Sequence, residues 1–366
     1  MPAFTAAAPG KIILFGEHAV VYQRPAIAVP VTQVQARAVV QADPRGQSGA
    51  VHLLAPEVRL DAYLADLPRT HPLAAVLYGL ADSLKLEHLP ACTVKITSTI
   101  PVAAGLGSGA AVSVALLRAF SAFLGHPLQD EQVCSQAFEV EKIHHGTPSG
   151  IDNTVITYAR PVYFVRGQPI ETLQVPRSFT VVIGDTGVSS PTAAAVGDVR
   201  RSWQADKQQY ESYFESIGSL VDSARQMIES GLVETLGPLM DANHGVLRKI
   251  DVSSPELDRL VLVARRAGAW GAKLCGGGRG GNMIALVSAA RAEKVASALR
   301  AAGAVRTIIT EVSSPPSPRG SGAGGETLPP SPPGRGAGGE GIRAAKGHPP
   351  SSSGRGPAGE GKKSKP

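Results

Sequence analysis

Three glycine-bearing segments constrain the fold of this 366-residue chain more than any stretch of ordinary periodicity. They read PGKIILFGEHAVVYQRPA at 9–26, PVAAGLGSGAA at 101–111 and KLCGGGRGGN at 273–282. Glycine at this density lets the backbone turn left-handed and approach a ligand closely, so ordinary side-chain packing gives way there. In the middle segment, the β-branched strand TVKITST at 93–99 ends before Pro101, and Gly105 and Gly107 permit a tight turn with N–H groups pointing inward. A helical run from Ala110 to Leu124 follows, closed by Gly125. A helix starting near Ser108 aims its positive end at the same turn, which makes a phosphate cradle. The alternative is a helix that follows a flexible turn and uses its glycines for close packing. No G-x-x-x-x-G-K-[ST] occurs, so the P-loop NTPase class is not supported. The dinucleotide-type spacings Gly105/Gly107/Ala110 and Gly276/Gly278/Gly281 lie outside an N-terminal βαβ unit and carry little weight.

Around these segments the pattern alternates. KIILF at 11–15, AVVY at 19–22, AIAV at 26–29 and VQARAVV at 34–40 predict a largely antiparallel β start, and a short helical piece is expected around Leu73 to Leu84. Asp130 is a good N-cap for a helix reaching His145, which HHGTPSG stops. A strand pair around 161–166, a buried strand at 179–186, a long polar helical region from about Thr192 to Ser230, and strands at NMIALV and TIITEV complete the body. Strands and helices alternate throughout, so the class is α+β or mixed α/β. The expected division is residues 1–175, residues 176–312 and a tail at 313–366.

The tail holds 14 of the 41 glycines and 11 of the 29 prolines and has no Phe, Trp or Tyr, so it cannot build a core. Three variants of one twelve-residue phrase recur in it at 315–326, 329–340 and 349–360 without an apolar face, which predicts a flexible, disordered extension. The alternative is a weak RNA or membrane-surface contact through Arg319, Arg335, Arg343 and the terminal lysines. Eight Lys/Arg against three Asp/Glu put +5 of the net +6 in this tail, leaving the body nearly neutral, which argues against a dedicated nucleic-acid-binding domain. Cys92, Cys134 and Cys275 form neither a disulfide framework nor a zinc spacing. The N-terminus lacks a signal-peptide pattern, and no apolar stretch is long enough to span a bilayer, so a soluble cytoplasmic protein without membrane partners is expected.

Glu141 and Asp152 bracket the turn HHGTPSGID. A carboxylate near a helix C-terminus is disfavoured by the dipole, and paired carboxylates suit Mg2+ binding and proton abstraction. Two solvated acids on either side of a turn are the other reading.

Taken in order, PGKIILFGEHAVVYQRPA, PVAAGLGSGAA, HGTPSGIDN and KLCGGGRGGN resemble the galactokinase, homoserine kinase, mevalonate kinase and phosphomevalonate kinase family over about residues 5–312. GEHAVVY followed by PA, with HGTPSGIDN, is most similar to its mevalonate kinase branch. The resemblance implies two α/β domains, an N-terminal one like ribosomal protein S5 domain 2 and a ferredoxin-like C-terminal one. It implies ATP as co-substrate, Mg2+, mevalonate as small-molecule substrate and phosphorylation of its C5 hydroxyl in isoprenoid biosynthesis. By the same resemblance Asp152 is the catalytic base and Lys11 lies beside it. Glu141 is the Mg2+ ligand, and Ala104, Gly105, Leu106, Gly107, Ser108 and Gly109 form the phosphate loop. Lys11, Glu17 and His18 stand on the substrate side, where a structural hydrogen bond in the first hairpin is the other reading of His18. Ser149 and Thr192 are supporting positions there. Members of the family are often dimers, so a homodimer is an expectation of the resemblance.

Two departures stand out. Gly109 occupies the place of a serine that is the family's other metal contact, and Arg279 interrupts the third glycine run. Arg279 is expected to contact phosphate, to close the cleft, or to lie on the surface of a loop. Cys275 has no His and Asn/Asp arrangement to make it a nucleophile and is expected to be a packing residue. The competing functions are a sibling kinase such as phosphomevalonate kinase, and a non-catalytic binding protein working through its tail.

Overall fold

The computed structural model describes residues 3–101, 105–145, 148–189, 192–314 and 327–330. Two long strands open it, β1 (Ala3–Phe15) and β2 (Ala26–Ala42), paired antiparallel with Ile12, Leu14, Ile27 and Val29 fully buried. AIAV and VQARAVV are one strand, because the backbone runs straight through Pro30 opposite Lys11. The β1–β2 register shifts between Pro9 and Gly10, and just past this bulge the Lys11 N–H donates to Leu106 O at 3.0 Å. Gly10 makes that approach possible, since a Cβ there would sit 3.3 Å from Leu106 O and 3.1 Å from Val34.

AVVY is not a strand. Ala19–Tyr22 forms a 3-10 turn between His18 and Gln23, both left-handed at φ 61° and 63°, with Ala19 and Val20 buried. So short an apolar run carries no period that separates strand from helix, and the left-handed ends decide it.

The first sheet adds β3 (Val51–Ala55), β4 (Leu60–Tyr63), β5 (Cys92–Ser98), β6 (Val162–Phe164) and β7 (Pro169–Thr172), the first two in a stretch where the sequence pattern predicts no strand. Within the expected tail, Thr327–Pro330 pairs with β7 and makes this sheet eight-stranded among the described residues. Its pairings are antiparallel except β3 with β5. Helices α1 (Pro72–Ser83), α2 (Ser108–Phe123), α3 (Asp130–His145) and α4 (Ile151–Tyr158) follow. The small residues of α2 let it lie on β1 and β2 while the other three helices touch its far side. It is therefore buried nearly all round from Ala110 to Phe120. The helix α4 directly after the Gly/Pro stop was not expected, and it puts Asp152 in a helical first turn, where the dipole favours a carboxylate.

The second sheet contains β8 (Phe179–Asp185), β9 (Gly271–Cys275), β10 (Asn282–Val287) and β11 (Arg306–Val312), antiparallel in the order β11-β8-β10-β9. The polar region after 192 is two helices, α5 (Thr192–Ala205) and α6 (Lys207–Glu229), broken where the Asp206 side chain accepts from Gln209 N at 3.0 Å and caps α6. Helices α7 (Leu236–Lys249), α8 (Pro255–Ala267) and α9 (Ala292–Ala301) cover this sheet. The halves are joined through α6, where Phe214 stacks on Tyr22 with ring centroids 4.1 Å apart and Arg24 pairs with Glu211 and Glu215. Two sheets, each with its own helices, give the α+β two-domain class expected. No helix among the described residues is long and apolar enough to cross a membrane.

Candidate active site

A cavity of about 550 Å³ is lined by residues of both halves: β1, the GEH segment, Gly105 and residues 107–110, the C-terminal part of α3, the start of α4, α5 and Gly276–Gly277. Its size suits a small-molecule site. Lys11 and Asp152 meet in it, with Lys11 Nζ 2.9 Å from Asp152 Oδ1. The lysine side chain is 5% exposed and the aspartate 30%, so the pair has a dry side and a side open to the cavity. Burial alone would lower the Lys11 pKa. The Asp152 carboxylate, helped by Cys275 and Glu141, holds it above the ordinary value and keeps the ammonium charged.

The stem of Lys11 runs beside Gly107. A Cβ on Gly107 would lie 3.0 Å from Lys11 Cγ and 2.8 Å from Ile156 Cδ1, and the residue is left-handed at φ 73°, so glycine is required twice over. Gly107 is the N-cap of α2 and brings no side-chain cap, leaving the first N–H groups of a sixteen-residue helix facing the cavity rim beside Ser108 and Gly109. Gly105 also lines the cavity, whereas Leu106 is buried and contributes its carbonyl to Lys11. Ala104 lies outside the described residues.

Glu141 reaches the cavity from α3, 7% exposed. Burial first, and then Asp152, push its carboxyl up to about 7, while Lys11 opposes them. A buried carboxylate in this setting gains from a cation beside it. Among the described residues there is no cluster of three metal-ligating side chains, so a divalent ion here would draw its other ligands from phosphate oxygens and water, the usual habit of Mg2+. Gly109 leaves room: a Cβ there would stand 3.5 Å from Glu141 Oε1.

His18 is buried, and its Nε2 lies 3.0 Å from Gly277 O across the cleft. Burial holds its pKa down at about 4, so the ring is neutral, Nε2 donates to that carbonyl, and Nδ1 is an acceptor with no partner of its own. Glu17 lines the same cavity, but its carboxylate is engaged by Lys273 and by Asn243 Nδ2, the latter at 3.3 Å. Ser149 Oγ accepts from Ile151 N at 3.3 Å, which fixes the turn into α4. Thr192, the first residue of α5, touches Gly277, where a Cβ would be 3.0 Å from its Oγ1.

Sequence reasoning missed two charged groups. Lys273 is fully buried on β9 and pairs with Glu17. A lysine within an apolar strand was the available signal. Arg200 lines the cavity from α5, on the stripe Thr192, Val196, Arg200 spaced by four residues. Arg279 does not line the cavity; it bonds Asp198 and Asp251 beside it. Cys275 is a buried packing residue whose S–H donates to Ile13 O at 3.3 Å, and burial pushes its thiol up to about 11.

The chain is similar to known kinases over most of its length. Residues 73–160 match the GHMP kinases N terminal domain, and residues 221–305 match the GHMP kinases C terminal domain. The mevalonate kinase of Pyrococcus horikoshii is 38% identical over 328 residues, covering 84% of this chain and 95% of its own. That of Aeropyrum pernix is 35% identical over 297 residues, covering 80% and 91%. The crystal structure of L. major mevalonate kinase in complex with R-mevalonate superposes with a TM-score of 0.72 at 31% identity, covering 86% of this chain and 96% of that one. The chain belongs to the GHMP kinases, and within them to the mevalonate kinase family.

Proposed function

We propose that this chain transfers the γ-phosphoryl group of ATP to the C5 hydroxyl of (R)-mevalonate, giving 5-phosphomevalonate and ADP for isoprenoid biosynthesis. The observation that carries the reading is the Lys11–Asp152 pair, 2.9 Å apart in a cavity that also holds an uncapped helix N-terminus. Asp152 accepts the C5 hydroxyl proton as that oxygen bonds to the γ-phosphorus and the bond to the ADP oxygen breaks. Lys11 holds the Asp152 carboxylate at 2.9 Å and offers its charge to the oxygens on which negative charge grows. The α2 N-terminus, with Gly107, Ser108 and Gly109, orients the phosphates. Glu141 would hold Mg2+ against them. When bound, the ion would neutralise phosphate charge.

On the substrate side, the Nδ1 atom of neutral His18 accepts from a hydroxyl rather than pairing with a carboxylate. The cation for the carboxylate is Arg200. Glu17 acts from below by holding the His18 segment, and Ser149 and Thr192 support the turn and the glycine loop. We also place the domain division between Thr172 and Phe179, where the first sheet gives way to the second, and locate this ATP-consuming enzyme in the cytoplasm.

Phosphomevalonate is a weaker candidate substrate, because Arg279, the first choice for gripping a second phosphate, is engaged by Asp198 and Asp251. The test is ADP release with Mg-ATP and, in parallel, mevalonate, 5-phosphomevalonate, galactose or homoserine. Turnover on mevalonate alone supports the reading; turnover only on another substrate moves the specificity, and none on any brings a tail-driven binding protein forward.

A further inference from the structure

In residues 276–281 the non-glycine is Arg279, and its backbone is left-handed at φ 59°, like those of Gly276, Gly278, Gly280 and Gly281. A side chain is strained there where glycine is not, and strain that persists points to something the side chain does. The arginine N–H donates to Val252 O at 2.8 Å and Nε donates to Asp251 O at 3.0 Å. Nη2 reaches Asp251 Oδ2 at 3.4 Å, and Nη1 bonds Asp198 Oδ2. Arg279 is thereby fixed on one side to the residues after α7 and on the other to α5.

The helix it holds buries few side chains. Only Ala195 and Val199 of the fourteen α5 residues are buried, yet this helix carries Thr192, Val196 and Arg200 onto the cavity. Asp198 also pairs with Arg201, but that arginine is 74% exposed against 31% for Arg279, so solvent screens the Arg201 pair more. The arginine hydrogen bond also holds the Asp198 carboxyl below the usual aspartate range.

We propose that Arg279 is a positioning residue whose ion pair with Asp198 latches α5 over the cavity, setting affinity for the carboxylate-bearing substrate rather than the rate of phosphoryl transfer. The kinetic part of this inference rests on the mevalonate kinase reading; the mechanical part does not.

Three variants test it: Arg279→Gly, which removes the latch and relieves the backbone, Arg279→Lys, which keeps the charge, and Asp198→Asn, which removes the partner. The latch predicts that amide hydrogen exchange in 192–205 quickens in Arg279→Gly and Asp198→Asn and returns part of the way in Arg279→Lys. It predicts a KM for mevalonate about threefold to tenfold higher in the first two, with kcat within about twofold and no further rise in their double variant. It also predicts that added NaCl raises the wild-type KM toward the Arg279→Gly value. Unchanged exchange in 192–205 would overturn the latch, as would a fall in kcat at constant KM. If wild-type protein does not turn over mevalonate, the kinase reading fails, and the exchange arm still decides whether Arg279 holds α5.

Discussion

Lys11, past the bulge in β1, and Asp152, in the first turn of α4, bring an ammonium and a carboxylate to 2.9 Å across the floor of the cavity. The lysine is nearly sealed from solvent, with its stem against Gly107, while the aspartate keeps a face to the cavity. A base that must take a proton needs that open face, and the lysine needs the sealed position to act at full strength in a low dielectric. Replacing Lys11 by Met is expected to lower kcat by about 10²- to 10³-fold with a smaller change in the KM for mevalonate, measured by steady-state ADP release. An unchanged kcat would remove Lys11 from the mechanism.

Gly109 offers a gain-of-ligand experiment. A Cβ there sits at ordinary contact distance, 3.5 Å, from Glu141 Oε1, so serine fits and adds a hydroxyl beside that carboxylate. Gly109→Ser is expected to lower the Mg2+ concentration for half-maximal rate by about threefold at fixed ATP, since one more oxygen ligand replaces water. A titration of rate against Mg2+ that superposes on wild type would show that the hydroxyl does not reach the ion.

His18 should be silent where a histidine normally titrates. Its pKa falls from 6.5 to about 4 on folding, so the unfolded chain takes up this proton first and the folded state loses stability as the pH drops from about 6.5 to about 4. Urea unfolding over that range is expected to show a steeper loss for wild type than for His18→Gln. Equal slopes would mean that the ring is not held neutral by burial.

The Glu17–Lys273 pair is wholly buried, and Asn243 completes it. Lys273→Met leaves a buried carboxylate without its cation and is expected to cost about 3–5 kcal/mol of stability. Adding Glu17→Gln should recover part of the loss, because a neutral amide is cheaper to bury than an unpaired charge. Denaturant midpoints of the two variants and wild type check this; a double variant no more stable than the single would contradict it.

Much of the site was readable in the chain because its parts stand at breaks in regular structure. Gly107 before α2, Gly150 before α4 and the glycines before β10 mark where backbone geometry outranks packing; Lys11 follows Gly10, Asp152 stands two residues after Gly150, and Glu141 comes shortly before the Gly/Pro sequence at 146–150. The partners were not readable. Glu17 and Lys273 are 256 residues apart, and Arg279 meets Asp198 from 81 away, so only the packed fold joins them. The differences in the fold have local causes: AVVY is too short to show a period, and Asp206 interrupts a polar helical region with a cap.

In the proposed reaction Asp152 takes the proton in phosphoryl transfer and does not merely hold the substrate. Single-turnover rate and mevalonate affinity measured side by side for wild type and Asp152→Asn address it directly. For a proton acceptor, the rate constant in Asp152→Asn is expected to be lower by about 10²- to 10⁴-fold with the affinity changed by less than about tenfold. A variant that transfers phosphate at near wild-type rate, or that loses binding while keeping the rate at saturation, would contradict it.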